Sequence, residues 1–356
     1  MIDLRVPFVF FLCLSLLIFC IGDDNKVPSP ILNPGLPLTR DEMERAARLP
    51  TVKTPAFDSS QDPMQVPGLF EGDISGVNIS TILVKNAIIN PAQKWPGGIV
   101  PYVIGAEFGR EDRLRIAQAV IEFHGRTCIR LVPRRDQKDF IFYYRGGGCM
   151  SQVGRKGGQQ LISLGHGCVH PGIIIHETLH ALGFWHEQSR ADRDDHIIVH
   201  WENIANGMET NFLKYTWAEI QGLGEPYDLG SVMHYAANAF ARRPFSRTIV
   251  PRRSAENIGQ RNGFSVTDLN KLNKLYECGR IATAGNSSQD CKDENQMCTI
   301  WSYLWQCQVN PNYMLNFCRK SCKSCSRASS VNTSVSSPKP TTTSWDMVIL
   351  TRIKIC

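Results

Sequence analysis

The chain opens on an apolar run at residues 6–21 (VPFVFFLCLSLLIFCI), with Arg5 before it and Gly22-Asp23-Asp24 after it. A bilayer-spanning helix needs about 20 such residues. The shorter run, its N-terminal place and its polar stop predict a cleaved signal peptide over residues 1–22. No later apolar stretch approaches spanning length, so the mature chain is expected to be secreted, extracellular and without a membrane span. Residues 23–85 start Pro-rich, hold no cysteine and show little apolar periodicity. One helix is predicted there, residues 39–49, with Thr39 and Glu42 as a capping box and Pro50 as the stop. A segment so poor in apolar positions cannot bury a core of its own, and it is expected to lie along something else.

From Trp95 the pattern changes. Residues 100–105 (VPYVIG), 140–144 and 161–164 read as strands. Residues 110–123 read as an amphipathic helix with Leu114, Ala117, Val120 and Ile121 on one face. Residues 171–182 read as another helix, since Pro171 suits a first turn and Gly183 an end. Residues 265–276 read as a late helix, with Ser265 as cap and Asp268 three residues on. Helices and strands intermix over about 190 residues, which predicts one α+β domain.

Charge adds little. The 356 residues carry 39 Lys+Arg against 33 Asp+Glu, a net +6 without clustering, and no nucleic-acid partner is expected. Cysteine adds much more. Two of the 13, Cys13 and Cys20, leave with the signal peptide. The rest fall as Cys128, Cys149, Cys168 and Cys278, then a dense set at Cys291, Cys298, Cys307, Cys318, Cys322 and Cys325, then Cys356 alone. Two disulfide-bonded modules made in an oxidising compartment follow, with Cys356 left over by count. A 35-residue piece such as 291–325 cannot hold itself together without crosslinks. Sequons at Asn78, Asn286 and Asn332 are candidate glycan sites. Residues 326–345 are rich in Ser, Thr and Pro, like a stalk.

The chemistry concentrates at His176-Glu177-Thr178-Leu179-His180. On a helix, positions i and i+4 project from one face, so two imidazoles can reach one zinc ion. Glu177 then points near the next coordination position, where a carboxylate can take a proton from an attacking water. The run continues Ala181-Leu182-Gly183-Phe184-Trp185-His186. Gly183 can take the positive φ that turns the chain and brings His186 back as a third ligand. Further on, Ser231-Val232-Met233-His234-Tyr235 has the form of a Met-turn.

The stretch HETLHALGFWHEQSRADRD, followed by SVMHY, resembles the astacin family of zinc endopeptidases, a metzincin branch. The resemblance implies a two-subdomain α+β catalytic domain over residues 86–280, with the active-site helix in the cleft. It implies one Zn2+ held by His176, His180 and His186, with Glu177 as general base. Met233 would lie beneath the metal. Tyr235 would be an extra ligand that swings away to stabilise the oxyanion. Glu187 would meet the mature N-terminus. The run Cys149 to Arg155 (CMSQVGR) matches the family near its substrate-binding edge strand. Disulfides Cys128–Cys278 and Cys149–Cys168 are implied as well.

Phe70-Glu71-Gly72-Asp73 resembles the family's propeptide motif, in which Asp73 would bind the zinc and displace the catalytic water. Residues 23–85 would then be a propeptide, removed when a trypsin-like protease cuts between Lys85 and Asn86. After a linker at 281–290, the spacing C-x6-C-x8-C-x10-C-x3-C-x2-C resembles the ShK-toxin (ShKT) domain. Spacing alone chooses no connectivity. The resemblance implies Cys291–Cys325, Cys298–Cys318 and Cys307–Cys322. The toxins block channels with a Lys-Tyr pair, where this chain has Asn312 and Tyr313. A structural or substrate-binding role is therefore expected for this module, with a matrix partner as its candidate contact. Trp301, Tyr303 and Trp305 read equally well as an exposed aromatic patch and as half-buried filler. Residues 326–356 form a tail.

The expectation is a secreted zymogen that hydrolyses extracellular or matrix proteins. The rival is an inactive protein that binds through the ShKT module, to matrix or to a channel. It would need a broken ligand set, whereas His176, Glu177, His180, His186 and Tyr235 are all present.

Overall fold

The computed structural model describes residues 32–50, 62–77, 90–217, 222–254, 257–278, 291–293, 298–303, 307, 314 and 318–324. The expected signal peptide, the Lys85–Asn86 bond, the three sequons, Asn312, Tyr313, Cys325, Cys356, the linker and the tail lie outside these residues.

Strands β1 (Ile99–Ile104), β2 (Arg130–Pro133), β3 (Phe140–Tyr144), β4 (Cys149–Met150) and β5 (Gln159–Leu164) form one sheet in the order β2-β1-β3-β5-β4. The first four strands in this order run parallel, and β4 closes the edge antiparallel to β5. The central strand β3 reads FIFYY without alternation because both of its faces are covered. Two helices pack with the sheet, α2 (Arg110–Arg126) and α3 (Pro171–Leu182). α2 runs three residues past its expected end. Thr127 closes it, donating from both its N–H and its hydroxyl to the Phe123 carbonyl. α3 occupies the predicted residues and is buried on every side. Its interior is apolar around the HExxH positions, so the helix is core and site at once.

The second half of the domain is built mainly from turns. It holds the short antiparallel pair β6 (Ile197–Val199) and β7 (Ile249–Pro251), then α4 (Val266–Leu275). Ser265 and Asp268 form a full capping box at the start of α4. Cys128 is bonded to Cys278 across a separation of 150 residues, tying α2 to the end of α4. A crosslink of that reach contributes about 2–5 kcal/mol. Cys149 is bonded to Cys168, which fixes β4 to the turn before α3.

The N-terminal segment does lie along something else. Residues 33–35 pair with the chain beyond β1, and α1 (Arg40–Arg48) packs on α2. Residues 62–77 then cross the sheet edge. Ile74 bridges Ser151 in parallel, with Ser75 N–H on Ser151 O and Ser151 N–H on Asp73 O, both 2.9 Å.

In the six-cysteine module, α5 (Cys298–Tyr303) is tied by its first residue to Cys318, and Cys307 is bonded to Cys322. Cys291 is also disulfide-bonded. Tyr303 stacks on His124 of α2 with ring centroids 5.3 Å apart, and Lys323 Nζ donates to Thr127 O at 3.0 Å. Tyr303 is thus half-buried filler between the module and α2, not an exposed contact. Trp305 lies outside the described residues.

Candidate metal centre

α3 presents His176 and His180 one turn apart. Gly183 then takes φ 111°, a left-handed conformation that glycine adopts without a Cβ clash, and the chain reverses. His186 comes back against the first two. The three Nε2 atoms converge: His176 to His180 is 3.2 Å and His176 to His186 is 3.3 Å. Asp73 of the N-terminal segment enters from above, at 3.1 Å from His176 Nε2, 3.2 Å from His186 Nε2 and 3.4 Å from His180 Nε2. All four side chains are buried.

The outer nitrogens decide what this cluster is. Each Nδ1 faces an oxygen that can only accept: Val232 O for His176 (2.8 Å), Phe184 O for His180 (2.7 Å) and Glu71 Oε2 for His186 (2.6 Å). Each ring therefore carries its proton on Nδ1, and three Nε2 lone pairs point at one another and at a carboxylate. Lone pairs alone would repel at these distances. Three imidazoles and one carboxylate oxygen, all within 4.8 Å of one another, are the donor set of a tetrahedral zinc ion, and each histidine has the outer partner that zinc ligands use. Negative charge at the site is strong. Without a metal, burial disfavours a charged His186, yet Asp73 and Glu71 push it up to about 9, and a zinc ion on Nε2 would take the place of that proton. Burial would raise Asp73, but His186 and His180 hold it well below the usual carboxylate range.

Glu177 lies between the two helical histidines, fully buried, and neither of its oxygens has a hydrogen-bond partner among the described residues. Burial, with Asp73 nearby, pushes it well above the usual range. An orphaned carboxylate beside a metal cluster is placed to hold and deprotonate a water. Tyr235 is not among the four donors. Its hydroxyl donates to Glu71 O at 2.7 Å, and burial raises its pKa far above that of a free phenol. Met233 sits in the turn whose neighbour Val232 orients His176. That turn hangs from α4: Asp268 accepts from Ser231 Oγ at 2.5 Å and from Val232 N–H at 2.9 Å. Glu187 is buried, and Lys271 Nζ contacts both of its oxygens, at 2.7 and 2.6 Å. Arg190 and the Asp228 N–H complete its shell. Asn86, its expected partner, lies outside the described residues.

Several residues of the site escaped the sequence reading. Glu71 holds His186 Nδ1 and accepts from Ser189 Oγ at 2.7 Å, although the FEGD motif marked only Asp73 for a role. Gly72 has φ 82°, and a Cβ there would lie 2.7 Å from both Met64 O and the Phe240 ring. Lys271 carries no mark in the sequence that sets it apart from the other helix cations. Arg261 is buried, lining a small recess with Asp62, Asp73 and Tyr235. Nothing in the spacing of the surrounding loop set it apart.

The astacin peptidase family matches residues 87–277, and a ShK domain-like family matches residues 290–325. Zinc metalloproteinase nas-15 of Caenorhabditis elegans is 41% identical over 263 residues, covering 68% of this chain and 46% of that protein. Zinc metalloproteinase nas-14 of the same animal is 34% identical over 358 residues, covering 77% of this chain and 71% of that protein. High choriolytic enzyme 1, a hatching enzyme zinc-protease of the medaka fish Oryzias latipes, is 43% identical over 52% of this chain and 93% of its own, with a TM-score of 0.49. The chain spans about half the length of nas-15 and more of nas-14. The family match covers more than half of the chain and contains the three histidines, and the chain belongs to the astacin family of peptidases, with a ShK-like module following the matched domain.

Proposed function

We propose that this chain is a secreted zinc metalloendopeptidase made as a latent precursor. The observation that carries the reading is the convergence of three Nε2 lone pairs on the Asp73 carboxylate, beside the unpartnered Glu177. His176, His180 and His186 hold the metal. Zinc, when bound there, supplies a Lewis acid for the scissile carbonyl and a water of lowered pKa. Glu177 takes the proton of the attacking water and returns it to the leaving amide nitrogen. Tyr235, once released from Glu71 O, donates to the developing oxyanion. The β4 edge, now bonded to residues 63 and 73–75, accepts the substrate as an added strand. Asp73 and Glu71 keep the precursor silent, and a trypsin-like cut between Lys85 and Asn86 releases them. Disulfides in both modules fit an extracellular workplace. Among the described residues, no helix is long and apolar enough to cross a membrane.

The test pairs metal analysis with cleavage. The full chain, cut after Lys85 and freed of the N-terminal fragment, should carry one zinc and cleave a quenched peptide library, and a chelator should stop it. Zinc without cleavage of any peptide would sink the protease reading.

Arg261 adds a preference. Its guanidinium donates to His234 O and Met64 Sδ and lines one recess with Asp62 and Asp73, which leave with the N-terminal segment. A substrate with an acidic side chain next to the cut would replace them. Arg261→Gln should lower the ratio of acidic to neutral peptide cleavage by about 30-fold, or about 2 kcal/mol, the low end for losing one partner of a buried charge pair. An unchanged ratio would remove Arg261 from the specificity site.

A further inference from the structure

We propose that α2 and the β1–α2 corner form a second binding surface for residues 33–50, remote from the metal. The cleaved N-terminal segment then stays on the enzyme as a two-point inhibitor. The inference rests on the latency reading above.

The anchorage is built around Arg113 of α2. Its Nε and one terminal nitrogen grip Glu42 of α1 at 2.5 and 3.0 Å. The terminal nitrogens also donate to Leu36 O (2.9 Å) and Pro37 O (2.8 Å). The two side chains are 13% and 14% exposed, so water competes poorly for this paired contact. Glu42 is held in place by its own helix, because its carboxylate accepts from the Thr39 N–H at 2.7 Å. Before the helix, Gly35 N–H donates to Ile104 O and Ala106 N–H to Asn33 O, both 2.8 Å. Leu38, Met43 and Ala46 are buried in the same core as α2 and β1, against the partly exposed Leu114 and Ile121 of α2.

None of these contacts involves a histidine of the cluster or the β4 edge. The cleft is held separately by Phe70, Glu71, Asp73 and Ile74. Residues 51–61 connect the two anchorages, and a cut after Lys85 leaves both in one fragment. When one end of that fragment dissociates, the other holds it at an effective concentration in the millimolar range. Covalent release is therefore not functional release. Departure would also expose the apolar side of α2, which favours rebinding of the same segment.

Three peptides test this on the full chain cut after Lys85 and freed of its fragment. Peptide 62–77 should inhibit, and peptide 32–77 should inhibit about 100-fold more tightly, the low end of what tethering two sites provides. Peptide 32–50, labelled for fluorescence anisotropy, should bind without slowing cleavage of a short substrate. Arg113→Ala in the enzyme, or Glu42→Ala in the peptide, should bring peptide 32–77 down toward the level of 62–77. Neither change should alter inhibition by 62–77 or turnover of the short substrate. The peptide variant leaves the enzyme's folding untouched. Equal inhibition by 32–77 and 62–77, or no response to Glu42→Ala, would overturn the second surface. Binding of 32–50 with no inhibition by 62–77 would instead overturn the latency reading and leave the surface standing.

Discussion

Glu177→Gln is expected to lower kcat/KM on peptide substrates by about 10^2–10^4-fold while zinc content stays unchanged. Glu177 is not one of the four converging donors, so the substitution leaves the metal site's ligands in place. Gln conserves the volume of a side chain that is completely buried. What is lost is the base, since an amide cannot take a proton from water. Stability should hold or rise, because a buried carboxylate without a hydrogen bond is costly and its removal relieves that cost. Metal analysis, thermal unfolding and peptide cleavage on one preparation check all three points. If Glu177→Gln lost zinc along with activity, Glu177 would be a structural support of the site instead. If it kept full activity, another group would be the base.

Asp73→Ala is expected to abolish latency without any cut in the chain. Asp73 supplies the only non-histidine donor among the four and lies 3.1 to 3.4 Å from all three imidazoles. Its removal takes away the carboxylate that lies against all three imidazoles. Uncut Asp73→Ala chain should cleave a small quenched peptide at least about 30-fold faster than uncut parent, the equivalent of about 2 kcal/mol for breaking a buried charged contact. Phe70 and Ile74 would still pack near Val153 and Tyr215, so cleavage of large proteins should recover less. A variant as silent as the parent, yet active after cutting, would show that steric cover by residues 62–77 maintains latency.

The metal centre was legible because its chemistry is local. His176 and His180 lie one helical turn apart, and Gly183 and His186 follow within six residues. Helix propensity, a Pro start and a glycine end act over the same short range, which is why α3 has the expected bounds. α1 and α4 were equally readable, since their caps Thr39 and Ser265 bond to residues three positions away. The strands β2, β4, β6 and β7 were not. At two to four residues they show no period, and pairing partners created them.

The same division runs through the site. Residue types at fixed spacing specified which groups bind metal, because ligand geometry is set within two turns of chain. Which atoms hold those ligands was decided by tertiary contact. Val232 orients His176 from 56 residues away, Glu71 orients His186 from 115, and Lys271 neutralises Glu187 from 84. Arg113 has no local mark at all, since its partners lie 71 to 77 residues away, and Arg261 meets His234 O from 27 residues away and Met64 Sδ from 197. A lone charge in sequence is indistinguishable from a solvated one. Only the closing of the fold removes water from around it and makes a single partner necessary.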